Sequence, residues 1–218
     1  VSYVVGTGWG SFTTLAAYTT AEKKPATLQP FLDVPGTNDT LHLTPTSTWA
    51  NESANPLLEF LFFTGTYGVS ATLMLDMVER WDVIINSTGT IPGLKSWSFT
   101  FEPLPTVYTK YGKKNGGNSL GTTPQDGNAM ILLLSPAWNN TSSDQLVANM
   151  ARRLIDGAND VAKATGMLHQ FQYLNYAGPG QHPLASYGVR NVASLKAVSR
   201  KYDPHGVFQQ QVPGGFKL

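Results

Sequence analysis

The stretch Trp97-Ser98-Phe99-Thr100-Phe101-Glu102-Pro103 has two unlike faces. Side chains of a strand point alternately to opposite sides. Trp97, Phe99 and Phe101 therefore form an apolar face, and Ser98, Thr100 and Glu102 a polar one. Pro103 and Pro105 are expected to end the strand, because neither has an N–H to give to a ladder.

Upstream, Leu58 to Tyr67 is dense in Phe and Leu and predicts a buried strand. Ser70 is placed to cap a helix carrying Met74, Met77, Val78, Trp81, Ile84 and Ile85 at helical spacing. Val1 to Pro30 reads as one or two strands bent at Gly6, Gly8 and Gly10. Pro30 to Gly36 reads as a loop, and His42 to Thr48 as a short extended piece. Downstream, Tyr111 to Gly127 is a loop rich in Gly and Asn, and Met130 to Leu134 a short buried strand. Ser142 and Gln145 form a capping-box pair. The helix they open carries Val147, Met150, Ala151, Leu154, Ala158, Val161 and Ala162 on one face and ends at Gly166. Leu168 to Tyr176 predicts a further strand. Last comes a helix with Val192, Leu195 and Val198 inward, stopped by Asp203-Pro204. Two long helices set between strands predict an α+β fold, an antiparallel sheet with helices on one face, followed by a C-terminal helical tail.

Composition narrows the function. The formal net charge of the 218 residues is +1. No Lys/Arg cluster stands out, so no nucleic-acid partner is expected. The longest apolar run, Met130 to Leu134, is too short to span a bilayer, and no membrane partner is expected. The absence of cysteine removes thiolate chemistry and Cys-based zinc sites, and the four histidines lack metal-ligand spacing, so no metal is expected. Sequons begin at Asn38, Asn51, Asn86, Asn139 and Asn140. Together they favour a secreted or secretory-pathway glycoprotein over a cytoplasmic one. Val1-Ser2-Tyr3 opens directly into strand-like sequence rather than a signal peptide.

Tyr173-Leu174-Asn175-Tyr176-Ala177 resembles the Y-x-N-Y segment of berberine-bridge-enzyme-like, FAD-linked oxidases of the vanillyl-alcohol-oxidase superfamily. Pro183-Leu184-Ala185-Ser186-Tyr187-Gly188, Lys201-Tyr202-Asp203-Pro204, Gly206-Val207-Phe208 and Val212-Pro213-Gly214-Gly215-Phe216 follow as in fungal members. Upstream, Gln29-Pro30-Phe31, Phe101-Glu102-Pro103-Leu104-Pro105 and Asn115-Gly116-Gly117-Asn118-Ser119-Leu120-Gly121 also fit. The resemblance runs in order across nearly the whole chain and is to the C-terminal, substrate-domain half. Nothing corresponds to the flavin-binding half, and Gly6-Thr7-Gly8-Trp9-Gly10 reads as a strand bend rather than a phosphate loop. Gly178 and His182 stand where the family commonly has acidic residues, and Glu102 where relatives often have Gln. The resemblance implies a substrate-binding-type domain over residues 1–176. It also implies a tail, 177–218, that packs on a flavin domain in full-length relatives.

In that family the sheet roofs the flavin and the substrate. The resemblance points Tyr173 and Asn175 into the cavity, and strand period puts His169, Phe171, Tyr173 and Asn175 on one face. Tyr173, Glu102 and Asn175 are the candidate catalytic residues; His169, Phe171, Thr100, Asn118 and Tyr176 are the candidate substrate contacts. Asn175 and Tyr176 are the expected cofactor contacts if a flavin half is supplied. The isolated chain is expected to hold no cofactor, with FAD entering only through a partner. The first reading is therefore cofactor-independent cyclisation, such as a [4+2] reaction, or isomerisation of a hydrophobic polyketide-like or terpenoid-like substrate. The alternatives are a fragment of an FAD-dependent oxidoreductase whose flavin half is a separate chain, and a non-catalytic small-molecule binder. An uncovered tail implies a homodimer or a complex with a flavin-domain chain.

Overall fold

The computed structural model describes residues 1–6, 8–52 and 57–218. Ser53 of the Asn51 sequon lies outside them. The strands are β1 (Ser2–Gly6), β2 (Trp9–Thr13), β3 (Glu59–Phe60), β4 (Phe63–Gly68), β5 (Leu94–Leu104), β6 (Ala129–Trp138) and β7 (Leu168–His169). The helices are α1 (Gln29–Leu32), α2 (Thr46–Glu52), α3 (Ala71–Ser87), α4 (Asp144–Ala164), α5 (Pro183–Ser186), α6 (Val189–Tyr202) and α7 (Val207–Gln210). The strands form one seven-stranded sheet in the order β2-β1-β5-β6-β4-β7, with β3 beside β6. Every pairing is antiparallel, as the α+β reading requires.

Alternation along β5 sorts the two faces. Trp97 and Phe99 join Leu132, Leu134, Phe63 and Tyr67 beneath α3 and α4 in the main core. Helical spacing turns Leu73, Met77, Trp81 and Ile84 of α3 toward them, and Val147, Ala151, Leu154 and Ala158 of α4. Trp81 ties the layers together. Its ring stacks on Phe99 with centroids 3.9 Å apart, and its Nε1 donates to the Leu154 carbonyl at 3.0 Å. A wholly buried indole thus keeps a partner for its one donor. Ser70 caps α3 as expected, accepting from the Leu73 N–H at 3.2 Å.

Two prolines shape the ladders. β5 runs through Pro103 to Leu104 instead of ending there. Phe101 exchanges both backbone bonds with Val1, so the odd-numbered residues of β5 aim at β1. Pro103 lies past that last pair, and its missing N–H faces no strand. The expected strand over Leu58 to Tyr67 is split into β3 and β4, and the register sets the break at Leu61, opposite Pro136 of β6. Pro136 has no N–H for Leu61, so the ladder lapses there.

Other expectations are corrected. His42 to Thr48 is not extended: α2 begins at Thr46, where the Trp49 N–H reaches the Pro45 carbonyl at 3.0 Å. α1 puts a helical turn at the start of the expected Pro30–Gly36 loop. The Ser142/Gln145 capping box is replaced by Asn140, whose Oδ1 accepts from the Ser142 N–H and hydroxyl at 3.1 and 2.7 Å. The predicted strand Leu168–Tyr176 keeps only two residues, because its next backbone donors leave the ladder. Phe171 N–H goes to His169 Nδ1 and Gln172 N–H to Ser186 Oγ, each at 3.0 Å, and Leu174–Tyr176 is a 3-10 turn. On α6 only Leu195 of the three expected inward residues packs on buried side chains, and Val198 is exposed. Among the described residues no helix is long and apolar enough to cross a membrane.

Trp81→Ala should cost about 3–5 kcal/mol of unfolding free energy in a urea titration, the usual range for emptying a buried aromatic site. A loss under about 1 kcal/mol would show that the indole does not hold α3 and α4 to the sheet.

Candidate functional site

The sheet face away from α3 and α4 is only partly covered. Over Ile131, the segment 171–195 builds a second cluster with Phe171 and Tyr187 buried and Leu184 and Leu195 against them. The Phe171 and Tyr187 rings stack with centroids 6.0 Å apart. Next to this cluster, Ser98, Thr100, Glu102 and Ser135 remain half-buried. The candidate site is the seam between the covered and uncovered areas.

At the seam the Tyr176 hydroxyl donates to Glu102 Oε1 at 2.9 Å. Tyr173 meets Tyr176 edge-on with centroids 4.9 Å apart, and Phe62 meets Tyr176 edge-on at 6.2 Å. Asn175 Nδ2 donates to the Tyr173 hydroxyl at 2.9 Å. The 3-10 turn brings Tyr173 and Tyr176 to the same side, which a continuous strand would have prevented. Phe62 arrives through the break that Pro136 imposes. Burial first, and the Glu102 carboxylate second, push the Tyr176 phenol up to about 12. It is therefore a hydrogen-bond donor at neutral pH. Glu102 Oε2 has no hydrogen-bond partner among the described residues.

Two features missed in the sequence hold the seam. Gln181 takes the place of a strand: Oε1 accepts from the N–H groups of Thr64 and Gly178 at 3.0 and 2.9 Å, and Nε2 donates to the Thr64 carbonyl at 2.7 Å. Gly178 passes so close to β4 that a Cβ would lie 2.1 Å from the Phe62 carbonyl oxygen. This excludes the acidic side chain that the resemblance places there. No periodicity marks Gln181. The departure at Gly178 is the signal that could have found the close approach.

The other predicted residues are distributed around the seam. Thr100 shares a hydrogen bond with Ser2, Oγ to Oγ1, at 2.8 Å. Phe171 is core of the second cluster. His169 sits on β7, with Nε2 3.9 Å from Asp126 Oδ1. Asn118 is used within its own loop, donating to the Thr122 carbonyl at 3.0 Å and accepting from the Leu120 N–H at 2.9 Å. That loop meets the tail at Gly121, where a Cβ would come within 2.4 Å of the Tyr187 carbonyl oxygen. The structure thus joins Tyr173, Asn175, Tyr176 and Glu102 in one cluster. It does not put His169 and Phe171 on a shared strand face with Tyr173 and Asn175. Among the described residues no group of three or more His, Asp or Glu side chains gathers as a metal site would.

The chain is similar to several fungal proteins named FAD-dependent monooxygenases. One from Aspergillus calidoustus is 42% identical over 118 residues, covering 54% of this chain and 22% of that protein. One from Emericella nidulans is 28% identical over 214 residues, 95% of this chain and 44% of its own length. One from Phaeosphaeria nodorum is 30% identical over 208 residues, 89% of this chain and 58% of its own length. The chain thus spans between about a quarter and three fifths of these relatives. No family model matches it, and no solved structure does.

These relatives correct one expectation. The sequence reading expects the isolated chain to hold no cofactor, yet its relatives are named FAD-dependent, which points to FAD. The described residues do not by themselves fit that group. Gly6 and Gly10 lie within the β1–β2 hairpin, no helix follows to receive a pyrophosphate, and the Trp9 ring fills the space over Gly6. The donor of Asn175 is already committed to Tyr173.

Tyr3 is also pushed up to about 12, by burial and then by its hydrogen bond to Asp82. A folded-state phenol pKa above the unfolded value stabilises the fold fully below about pH 10, and that stability is lost as pH rises toward about 12. Ultraviolet titration should show Tyr3, Tyr67, Tyr176 and Tyr187 ionising late, with one late phenol lost in Tyr176→Phe and the same one titrating earlier in Glu102→Gln. An unchanged late phase in Tyr176→Phe would count against the Tyr176–Glu102 bond.

Proposed function

We propose that this chain forms the substrate-facing part of an FAD-dependent oxidoreductase of fungal natural-product biosynthesis, like the berberine-bridge-enzyme-like oxidases its motifs resemble. The observation that carries the reading is the Tyr176–Glu102 hydrogen bond, which stands where an aromatic cluster meets a polar, half-open sheet face. FAD would be held by residues other than those described, on a second chain or elsewhere in a longer polypeptide. The redox reading replaces cyclisation or isomerisation, which rested on a chamber working without a cofactor.

The residues of this chain divide the remaining work. Phe62, Tyr173 and Tyr176 offer ring edges and faces to a flat, hydrophobic substrate such as a polyketide-like molecule. Glu102 takes a proton from a substrate hydroxyl through Oε2, while Tyr176 holds Oε1 and so fixes the direction of the free oxygen. Asn175 orients the Tyr173 hydroxyl, which supplies a second polar contact for the substrate.

The test uses the native polypeptide that carries this sequence, purified from its fungal source and expressed with single substitutions. It should contain extractable FAD. Glu102→Gln should lower kcat by roughly 10²–10⁴-fold, the usual contribution of a positioned base. Tyr176→Phe should lower it less, because it frees the carboxylate to turn without removing it. A native protein without flavin would sink the redox reading. A flavoprotein indifferent to Glu102→Gln would sink the assignment of the base.

A further inference from the structure

Among the described residues one edge of the sheet is open. At the other edge β7 is two residues long, and beyond it Gln181 occupies the Thr64 backbone groups. Among the described residues β2 at the opposite end pairs only with β1, and all five of its residues are exposed. Natural edge strands are commonly guarded by charge, proline or a bulge. β2 reads Trp-Gly-Ser-Phe-Thr, its register with β1 is unbroken, and no charged residue occurs anywhere from Val1 to Ala21.

The register also fixes which backbone groups are free. Val1 exchanges both bonds with Phe101, so odd-numbered residues of β1 aim at β5 and even-numbered residues aim at β2. Ser2, Val4 and Gly6 therefore bond Thr13, Ser11 and Trp9. The backbone groups of Gly10 and Phe12 point outward, and no strand among the described residues meets them.

We propose that β2 is a pairing edge for a second copy of this chain, joined antiparallel about a two-fold axis at Ser11. Gly10 of each copy then faces Phe12 of the other, and the two outward residues of each strand make two complete backbone pairs. An axis at Ser11 uses every free group of the strand; an axis at Gly10 or Phe12 would make one such pair within the strand instead of two, and an axis between two residues would set committed groups against free ones. Side chains agree with this register. Phe12 lies 5.0 Å from Tyr3 on the helix side and is 66% exposed. Across the axis it meets a glycine, as Trp9 already covers Gly6 within the hairpin. An aromatic ring laid over a strand glycine is a known way to cover exposed backbone. The two sheets become one continuous sheet, and the seam at Tyr176 and Glu102, on the far side of β5, stays uncovered.

The interface is small, at the weak end of specific association, so the native polypeptide that carries this sequence should be examined by light scattering up to concentrations on the order of 100 µM. A monomer–dimer equilibrium is expected. Gly10→Lys combined with Phe12→Lys sets ammonium groups opposite each other across the axis and should weaken the dimer at least about tenfold. A Cβ at Gly10 meets the Tyr3 ring at 3.5 Å, an ordinary contact, so the hairpin itself tolerates the change. The chain has no cysteine, which allows a positive test. Ser11→Cys places two thiols in a pair with Cα atoms about 4.5 Å apart, within disulfide reach, and mild oxidation should give a covalent dimer. Cysteine in place of Val198, on exposed α6, should not. A strictly monomeric wild type overturns the proposal. So does a dimer that survives the double lysine variant, or a Ser11→Cys chain that dimerises without cross-linking.

Discussion

The stack of Trp81 on Phe99 commits one face of the sheet to the helices, and the other features follow from that commitment. An antiparallel sheet can bury one side and leave the other open. Once α3 and α4 occupy the side of Trp97, Phe99 and Leu132, the even-numbered residues of β5 must lie on the other side. Ser98, Thr100 and Glu102 would be costly beneath a helix without partners, so their open position is a consequence of the packing below them. A one-residue slip between β5 and β6 would exchange the two sets. The length of that pairing, from Leu94 to Leu104, protects the site by protecting the register.

The segment that completes the site is attached differently. Residues 171–187 do not extend the sheet as a strand. They are held by side chains that imitate one, with His169 and Ser186 accepting from the backbone and Gln181 serving both groups of Thr64. A strand would have fixed Tyr173 and Tyr176 on opposite faces. Side-chain anchoring frees the backbone to make a 3-10 turn, whose three-residue period puts both phenols on one side. The seam therefore owes its chemistry to a ladder that stops early, just as Phe62 owes its position to the lapse at Pro136.

This distinction explains what the sequence made legible. The alternation in β5, the Ser70 cap and the helical spacing of α3 and α4 are local patterns set by burial, and the structure keeps them. The extended reading of His42 to Thr48 failed because Pro45 starts a helix through a backbone bond to Trp49 that no propensity records. The strand reading of Leu168 to Tyr176 failed because its donors are claimed by residues up to fourteen positions away. Within the site, the residues were legible but their grouping was not. Glu102 and Tyr176 are 74 positions apart, and their contact depends on Gly178 passing against Phe62.

An incomplete chamber and an unguarded edge share one physical cause. A sheet of this width has two terminal strands and two faces, which helices and loops must cover. Here the helices serve one face, the tail serves part of the other, and Gln181 serves the β4 edge. That leaves the polar stretch around Thr100 and the outer side of β2. The first is amphipathic and shallow, shaped more for a small molecule than for another chain. The second is periodic and uncharged, suited to another strand. The two vacancies differ in shape and chemistry and lie on opposite sides of β1, so filling one leaves the other available. A molecule docked at the seam would leave a strand paired on the edge undisturbed.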